Sequence, residues 1–203
     1  MPDTKLISTL HTIMDYAAIA NHNPKTYWSF SDSIMKGNEE LGELSEAIQI
    51  HTGRLPHKTI DEAVQGEIAD NINQVIDLFS VLLVDTHIAK QEILGPNELT
   101  FDINAHCNQY DIESKEGLHE MIVSYVLDYQ MHRQRVIEAK NGCVATLLKP
   151  LLCLGVLFHC FDNKISLETI GVGVVCAAMT DLHDNYLLRK FQKWQSVQVS
   201  RKI

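Results

Sequence analysis

The chain predicts an all-α protein, a helical bundle of about five to six helices. Apolar residues recur at the three- and four-residue spacing of a helix packed on one face. No segment shows the strict alternation of a half-buried strand, and no Asn-Gly turn joins two β-branched runs. Breakers punctuate the periodic stretches at Asn21-His22-Asn23-Pro24, Gly53, Gly95-Pro96, Asn141-Gly142 and Asp162-Asn163-Lys164.

Taken in order, Lys5 to about Ala20 reads as a first helix. Ser31 or Ser33 is expected to cap a second, which runs to His51 and stops at Gly53. A loop at Leu55-Pro56-His57 leads to a long helix from about Thr59 to Glu92, ended by Gly95-Pro96. Residues 97–111 read as a connector with room for one short helix. Helices are expected over Ile112–Lys140 and Val144–Phe161, with Pro150 tolerated. Ser166 caps a last helix, with Glu168 in its first turn, reaching to about Trp194. The tail from Val197 reads as frayed. Residues 79–93 share a texture with 156–170, a pattern that either an old duplication or ordinary helix-bundle similarity produces.

The 203 residues suffice for a sizeable core, and five prolines and ten glycines exclude a long disordered chain. A net charge of −9 argues against a nucleic-acid polymer as partner. Five cysteines without CxxC or Cys/His zinc spacing suit free thiols in a reducing, cytoplasmic setting. No basic stretch followed by an apolar run opens the chain, so no signal peptide is expected. The apolar run Leu147–Phe161 is interrupted by Lys149, Pro150 and His159 and reads as too short and broken for a membrane span.

Two pairs of acids carry the chemistry. Glu40 and Glu43 are spaced i, i+3, and so are Glu67 and Asp70. In a helix such residues project from one face, a turn apart. Two such helices side by side bring four carboxylates together, a repulsive arrangement that a hard divalent cation relieves. Mg²⁺ is the expected ion, with Mn²⁺ as a substitute. Both pairs are set among apolar residues, and Asn71, Gln74 and Asp77 extend the polar stripe beyond Asp70. A polar stripe in an apolar helix points to a buried site more than to a wet face.

Three rival readings use other residues. His183-Asp184 is an HD pair in a helical chain, but no further Asp follows it to complete an HD phosphohydrolase site. Glu116-Gly117-Leu118-His119 is a single Glu-x-x-His where a di-iron bundle needs two. A non-catalytic interaction module treats both acid pairs as solvated.

The run Glu39-Glu40-Leu-Gly-Glu43, followed after 23 residues by Glu67-Ile-Ala-Asp70, resembles the motif of the all-α NTP pyrophosphohydrolases, the MazG-like and dimeric dUTPase-like superfamily. The wording Leu-Gly-Glu-Leu-Ser-Glu-Ala and the aromatic segment Tyr27-Trp28-Ser29-Phe30 are similar to that family too. The match covers about residues 27–93. It implies a MazG-like four-helix core with extra C-terminal helices: residues 1–96 supply the catalytic helices, and 97–203 complete the bundle, as a degenerate repeat if the chain arose by duplication. It implies Glu40, Glu43, Glu67 and Asp70 as Mg²⁺ ligands. It also implies hydrolysis of a nucleoside triphosphate to monophosphate and pyrophosphate, as in sanitising a nucleotide pool. On this resemblance Glu43 or Glu46 is the general base, and Glu39 faces solvent or a neighbouring subunit. Lys36, one turn before Glu40, is placed for phosphate. Trp28, Phe30 or Tyr27 receives the base and sugar, or packs in the core. Asn71 is a phosphate or sugar contact or a polar flank, and Gln74 and Asp77 lie along the same substrate-facing stripe. A homodimer or higher homo-oligomer is implied as well.

Overall fold

The structure is a computed structural model that describes residues 4–21, 29–59, 62–82 and 95–200. Helix α1 is Thr4–Asn21, α2 is Phe30–His51, α3 is Val64–Val81, α4 is Pro96–Cys107, α5 is Lys115–Ala139 and α6 is Val144–Asp162. A 3₁₀ turn at Leu167–Thr169 precedes α7 (Val172–Asp181), which runs through a π-helical segment, Leu182–Leu187, into α8 (Leu188–Ser200). No strand occurs among the described residues, so the all-α architecture holds.

Local chemistry explains most ends, and it moves several expected ones. Ser29, not Ser31 or Ser33, caps α2: its Oγ accepts from Asp32 N at 3.1 Å, and its own N–H donates to Asp32 Oδ2 at 3.0 Å. That reciprocal box fixes the start four residues before Ser33, which is buried inside the helix. Gly53, at φ +75°, takes the left-handed turn after α2. Helix α3 starts at Val64, not near Thr59, and residues 83–92 of the expected long helix, with most of the first copy of the proposed repeat, lie outside the described residues. The expected connector 97–111 is largely α4, which Pro96 opens at a first-turn position where a missing N–H costs nothing. Ser114 caps α5, its Oγ accepting from Gly117 N, so that helix begins at Lys115 and not at Ile112. Ser166 caps only the 3₁₀ turn, and the last long helical run begins at Val172.

Helices α3 and α6 form the centre. Fourteen of the 18 residues of α3 and fourteen of the 19 of α6 are buried, so both are covered on nearly all sides. The two pack on each other; α2 lies along α3, α1 and the π segment also cover α3, and α5 and α7 cover α6. One hydrophobic core therefore runs from Leu6 in α1 to Phe191 in α8 and draws on both halves of the chain. Helix α6 is, by length and composition, long and apolar enough to cross a membrane, contrary to the reading of it as too short and broken; 83% of its apolar window is buried inside the bundle, the behaviour of a core helix.

The C-terminal half has its own polar centre at Asp102 of α4. Its carboxylate accepts from Tyr125 Oη at 3.3 Å and Cys153 Sγ at 3.6 Å, and it pairs with Lys149. His106 bonds the Asp102 carbonyl at 3.0 Å and stacks on Tyr125 with ring centroids 4.4 Å apart. The five cysteines are free thiols. Burial pushes Cys160 up to about 11 and Cys153 well above the ordinary thiol range, which keeps both protonated.

Candidate metal centre

Helices α2 and α3 pack along their length, and the register between them is tied by Asn71. Its side-chain amide, fully buried, donates to Glu40 O and to Glu67 O, both at 2.9 Å. The amide thus bonds the main chain of both acid-bearing turns. The expectation for Asn71 is a phosphate or sugar contact or a polar flank; fully buried, its amide N–H groups fix where the acids sit and its Oδ1 has no partner.

One carboxylate oxygen each from Glu40, Glu67 and Asp70 lie within 4.8 Å of one another. Glu40 is 5% exposed and Glu67 9%. Glu40 Oε2 and Glu67 Oε2 are buried with no hydrogen-bond partner. Buried polar atoms are nearly always bonded, so an unpartnered oxygen on each of two acids of the trio suits a hard cation as their partner. Among the described residues no other set of three His, Cys, Asp or Glu side chains meets in this way.

The electrostatics carry the same strain. Burial, joined by the charges of Glu43, Glu62 and Asp70, pushes Glu67 up to about 7 from an ordinary 4.5. Burial also raises Glu40, against the pull of Lys36, and raises Asp70, against the pull of Lys190. All three acids hold their protons more tightly than free carboxylates, the state a cation reverses.

Two lysines flank the trio. Lys36 Nζ lies 2.6 Å from Glu40 Oε1 and 3.0 Å from Glu39 Oε1, so the residue expected to meet phosphate bonds acids here. Lys190 Nζ, from α8, lies 2.5 Å from Asp70 Oδ2 and 2.6 Å from Glu62 Oε2. Glu62 and Lys190 were not legible as site residues. The local trace of Glu62 is Gly66: a Cβ there would stand 2.2 Å from Glu62 Oε1, so the missing side chain leaves the room in which the Glu62 carboxylate lies. Lys190 leaves no local trace, being 120 residues from Asp70.

The remaining expected residues divide. Glu43 is exposed and stands outside the trio, although its charge is the largest acting on Glu67. Glu46 is paired with Lys58 on the surface. Glu39 is exposed, as expected. Gln74 is half-buried with an unpartnered Oε1, and Asp77 is buried. Phe30 is half-buried against the core, with Lys140 Nζ 5.7 Å from its ring centroid. Tyr27 and Trp28 lie outside the described residues.

One turn before Glu40 in α2, Arg133 of α5 donates to Asn38 Oδ1 at 2.7 Å and Ile34 O at 3.0 Å. A Cβ at Gly37 would lie 2.5 Å from Arg133 Nη2, so the glycine admits the guanidinium that clamps α5 one turn from Glu40. The HD pair serves as a helix tie: His183 Nε2 bonds Thr9 Oγ1 at 2.7 Å and Nδ1 bonds Asp184 Oδ1 at 2.5 Å, fastening the π segment to α1. Glu116 is exposed, and neither it nor His119 joins a group of metal-ligating side chains among the described residues.

The chain was compared with family models, with curated proteins and with solved structures, and none of the three gave a match.

Proposed function

We propose that this chain is a divalent-cation-dependent hydrolase that splits nucleoside triphosphates into monophosphate and pyrophosphate. The observation that carries the reading is the buried meeting of Glu40, Glu67 and Asp70 with two carboxylate oxygens left unpartnered. The motif resemblance supplies the reaction class. Glu40, Glu67 and Asp70 would hold Mg²⁺ or Mn²⁺. The cation, when bound, neutralises phosphate charge and makes a water more acidic.

The chain's own groups then have separate tasks. Glu43, at the exposed rim one turn from Glu40, accepts the proton of the attacking water. Glu46, held by Lys58, is the weaker candidate for that role. Lys36 is close enough to the trio to exchange its bond to Glu40 for one to phosphate. Asn71 keeps both acid turns in register. The same resemblance supports a homodimer or higher oligomer, tested by light scattering, and the free thiols suit a reducing cytoplasm.

The test is product analysis by phosphorus NMR, with a panel of NTPs and dNTPs and Mg²⁺. Monophosphate and pyrophosphate are the expected first products. Orthophosphate as sole first product rules the reading out. No turnover of any nucleotide with either ion leaves a helical interaction protein whose acids are structural.

A further inference from the structure

We infer that Lys190 occupies, with its ammonium group, the place of a second divalent cation, so that this centre takes one metal ion and not two. The inference rests on the metal-centre reading above and adds its stoichiometry. In two-metal phosphohydrolase sites the ions sit about 3.5–4 Å apart and are bridged or flanked by shared carboxylates. Here Asp70 is the shared carboxylate. One of its oxygens belongs to the trio with Glu40 and Glu67, and its Oδ2 is 2.5 Å from Lys190 Nζ. The ammonium reaches across to Glu62 Oε2 at 2.6 Å, as a second cation between those two acids would.

Three further observations make this a built position. Lys190 stands between core residues of the last helical run, Leu187 at 0% and Phe191 at 5% exposure, so packing sets where its stem begins. Glu62 lies where it does because Gly66 has no side chain to displace it. The two orphaned oxygens belong to Glu40 and Glu67, the acids Lys190 does not touch. On the Asp70 and Glu62 side the lysine is in place, while on the other side Glu40, bonded to Lys36 through Oε1, and Glu67 each keep one oxygen without a partner. An ammonium supplies charge but no open coordination position, so water can be activated only on the side of Glu40 and Glu67.

The test is a Mn²⁺ titration of metal-free full-length protein, read by equilibrium dialysis and by electron paramagnetic resonance. Wild type is expected to bind one Mn²⁺ per chain, with the spectrum of an isolated ion. Lys190→Ala, shown folded by circular dichroism, is expected to bind two, with the broadened spectrum of neighbouring spins. Lys190→Arg, which keeps the charge, should stay at one, and the double variant Lys190→Ala/Glu62→Gln should return to one. Where the alanine variant does not fold, Lys190→Gln keeps the chain length and is expected to bind two. Two ions on wild type, or one ion on a folded Lys190→Ala or Lys190→Gln, overturns the inference and leaves the metal centre standing. No Mn²⁺ on wild type removes the metal centre itself, and this inference with it.

Discussion

Asp102 and Glu67 are both carboxylates set into the helical core, and their surroundings differ in how many partners they find. Asp102 has Lys149, Tyr125 and Cys153 on its oxygens and His106 on its carbonyl. Glu67 has an unpartnered Oε2 and, around it, Glu43, Glu62 and Asp70, whose charges add to burial in raising it to about 7. A satisfied buried carboxylate ties helices together, here α4, α5 and α6. An unsatisfied one costs stability, and a fold keeps it where something absent from the protein itself completes it. The contrast sets a satisfied polar centre beside the one proposed above to hold a cation.

The largest test of that contrast is in activity. Glu40→Gln or Glu67→Gln should lower kcat/KM by about 10³-fold, the loss of several kcal/mol of charge stabilisation. Asp102→Asn should leave the kcat/KM of the folded protein within about twofold, since its loss touches only the tie between helices. A large activity loss from Asp102→Asn with unchanged melting would reverse the assignment of the two centres.

Stability should respond the other way round. Asp102→Ala removes the partner of Lys149, Tyr125 and Cys153 and should destabilise by about 2–3 kcal/mol in denaturant unfolding. Glu67→Gln in EDTA at pH 8 should stabilise by about 1–2 kcal/mol, because a charge that burial opposes is gone.

The pH dependence follows with its sign. Glu67 binds its proton more tightly folded, at about 7, than unfolded, near 4.5. The stability this gives is fully present below about 4.5 and is lost as pH rises toward and through 7. In EDTA the melting temperature should therefore fall between pH 5 and 8 by more in wild type than in Glu67→Gln. Saturating Mg²⁺ should shrink or invert the difference. Equal slopes for the two proteins would mean that Glu67 titrates normally.

The smallest expected effect belongs to the surface. Glu46 and Lys58 pair at an exposed position, and Lys58→Ala should change unfolding free energy by less than about 0.5 kcal/mol. Glu46→Gln should leave turnover near wild type if Glu43 is the base. A loss of activity above about tenfold in Glu46→Gln, and none in Glu43→Gln, would exchange their roles.

Much of this architecture was legible before any coordinates. Leu6, Leu10, Ile13, Met14 and Ala17 form the buried stripe that their spacing announces. The start of α2 is expected too late although its signal is present, since Ser29-x-x-Asp32 is a four-residue capping box. Helix α4 was read as connector because its hydrophobic periodicity is weak; its buried residues are only Pro96, Leu99 and Ile103. Asn71 looked like a ligand because it shares the polar stripe, and nothing local says that both its N–H bonds go to backbone carbonyls, one of them 31 residues away.

The sequence by itself determined the all-α class and placed Glu40, and likewise Glu67 with Asp70, on defined helix faces, because those properties depend only on the 3.6-residue repeat. The tertiary structure decided which acids meet. Glu43 has the spacing of a ligand yet is exposed, while Glu62 lacks the spacing yet lies beside Lys190. Helical repeat fixes the direction of a side chain relative to its own axis. Burial, partner and charge depend on which other helix arrives, and Lys190 arrives from 120 residues away.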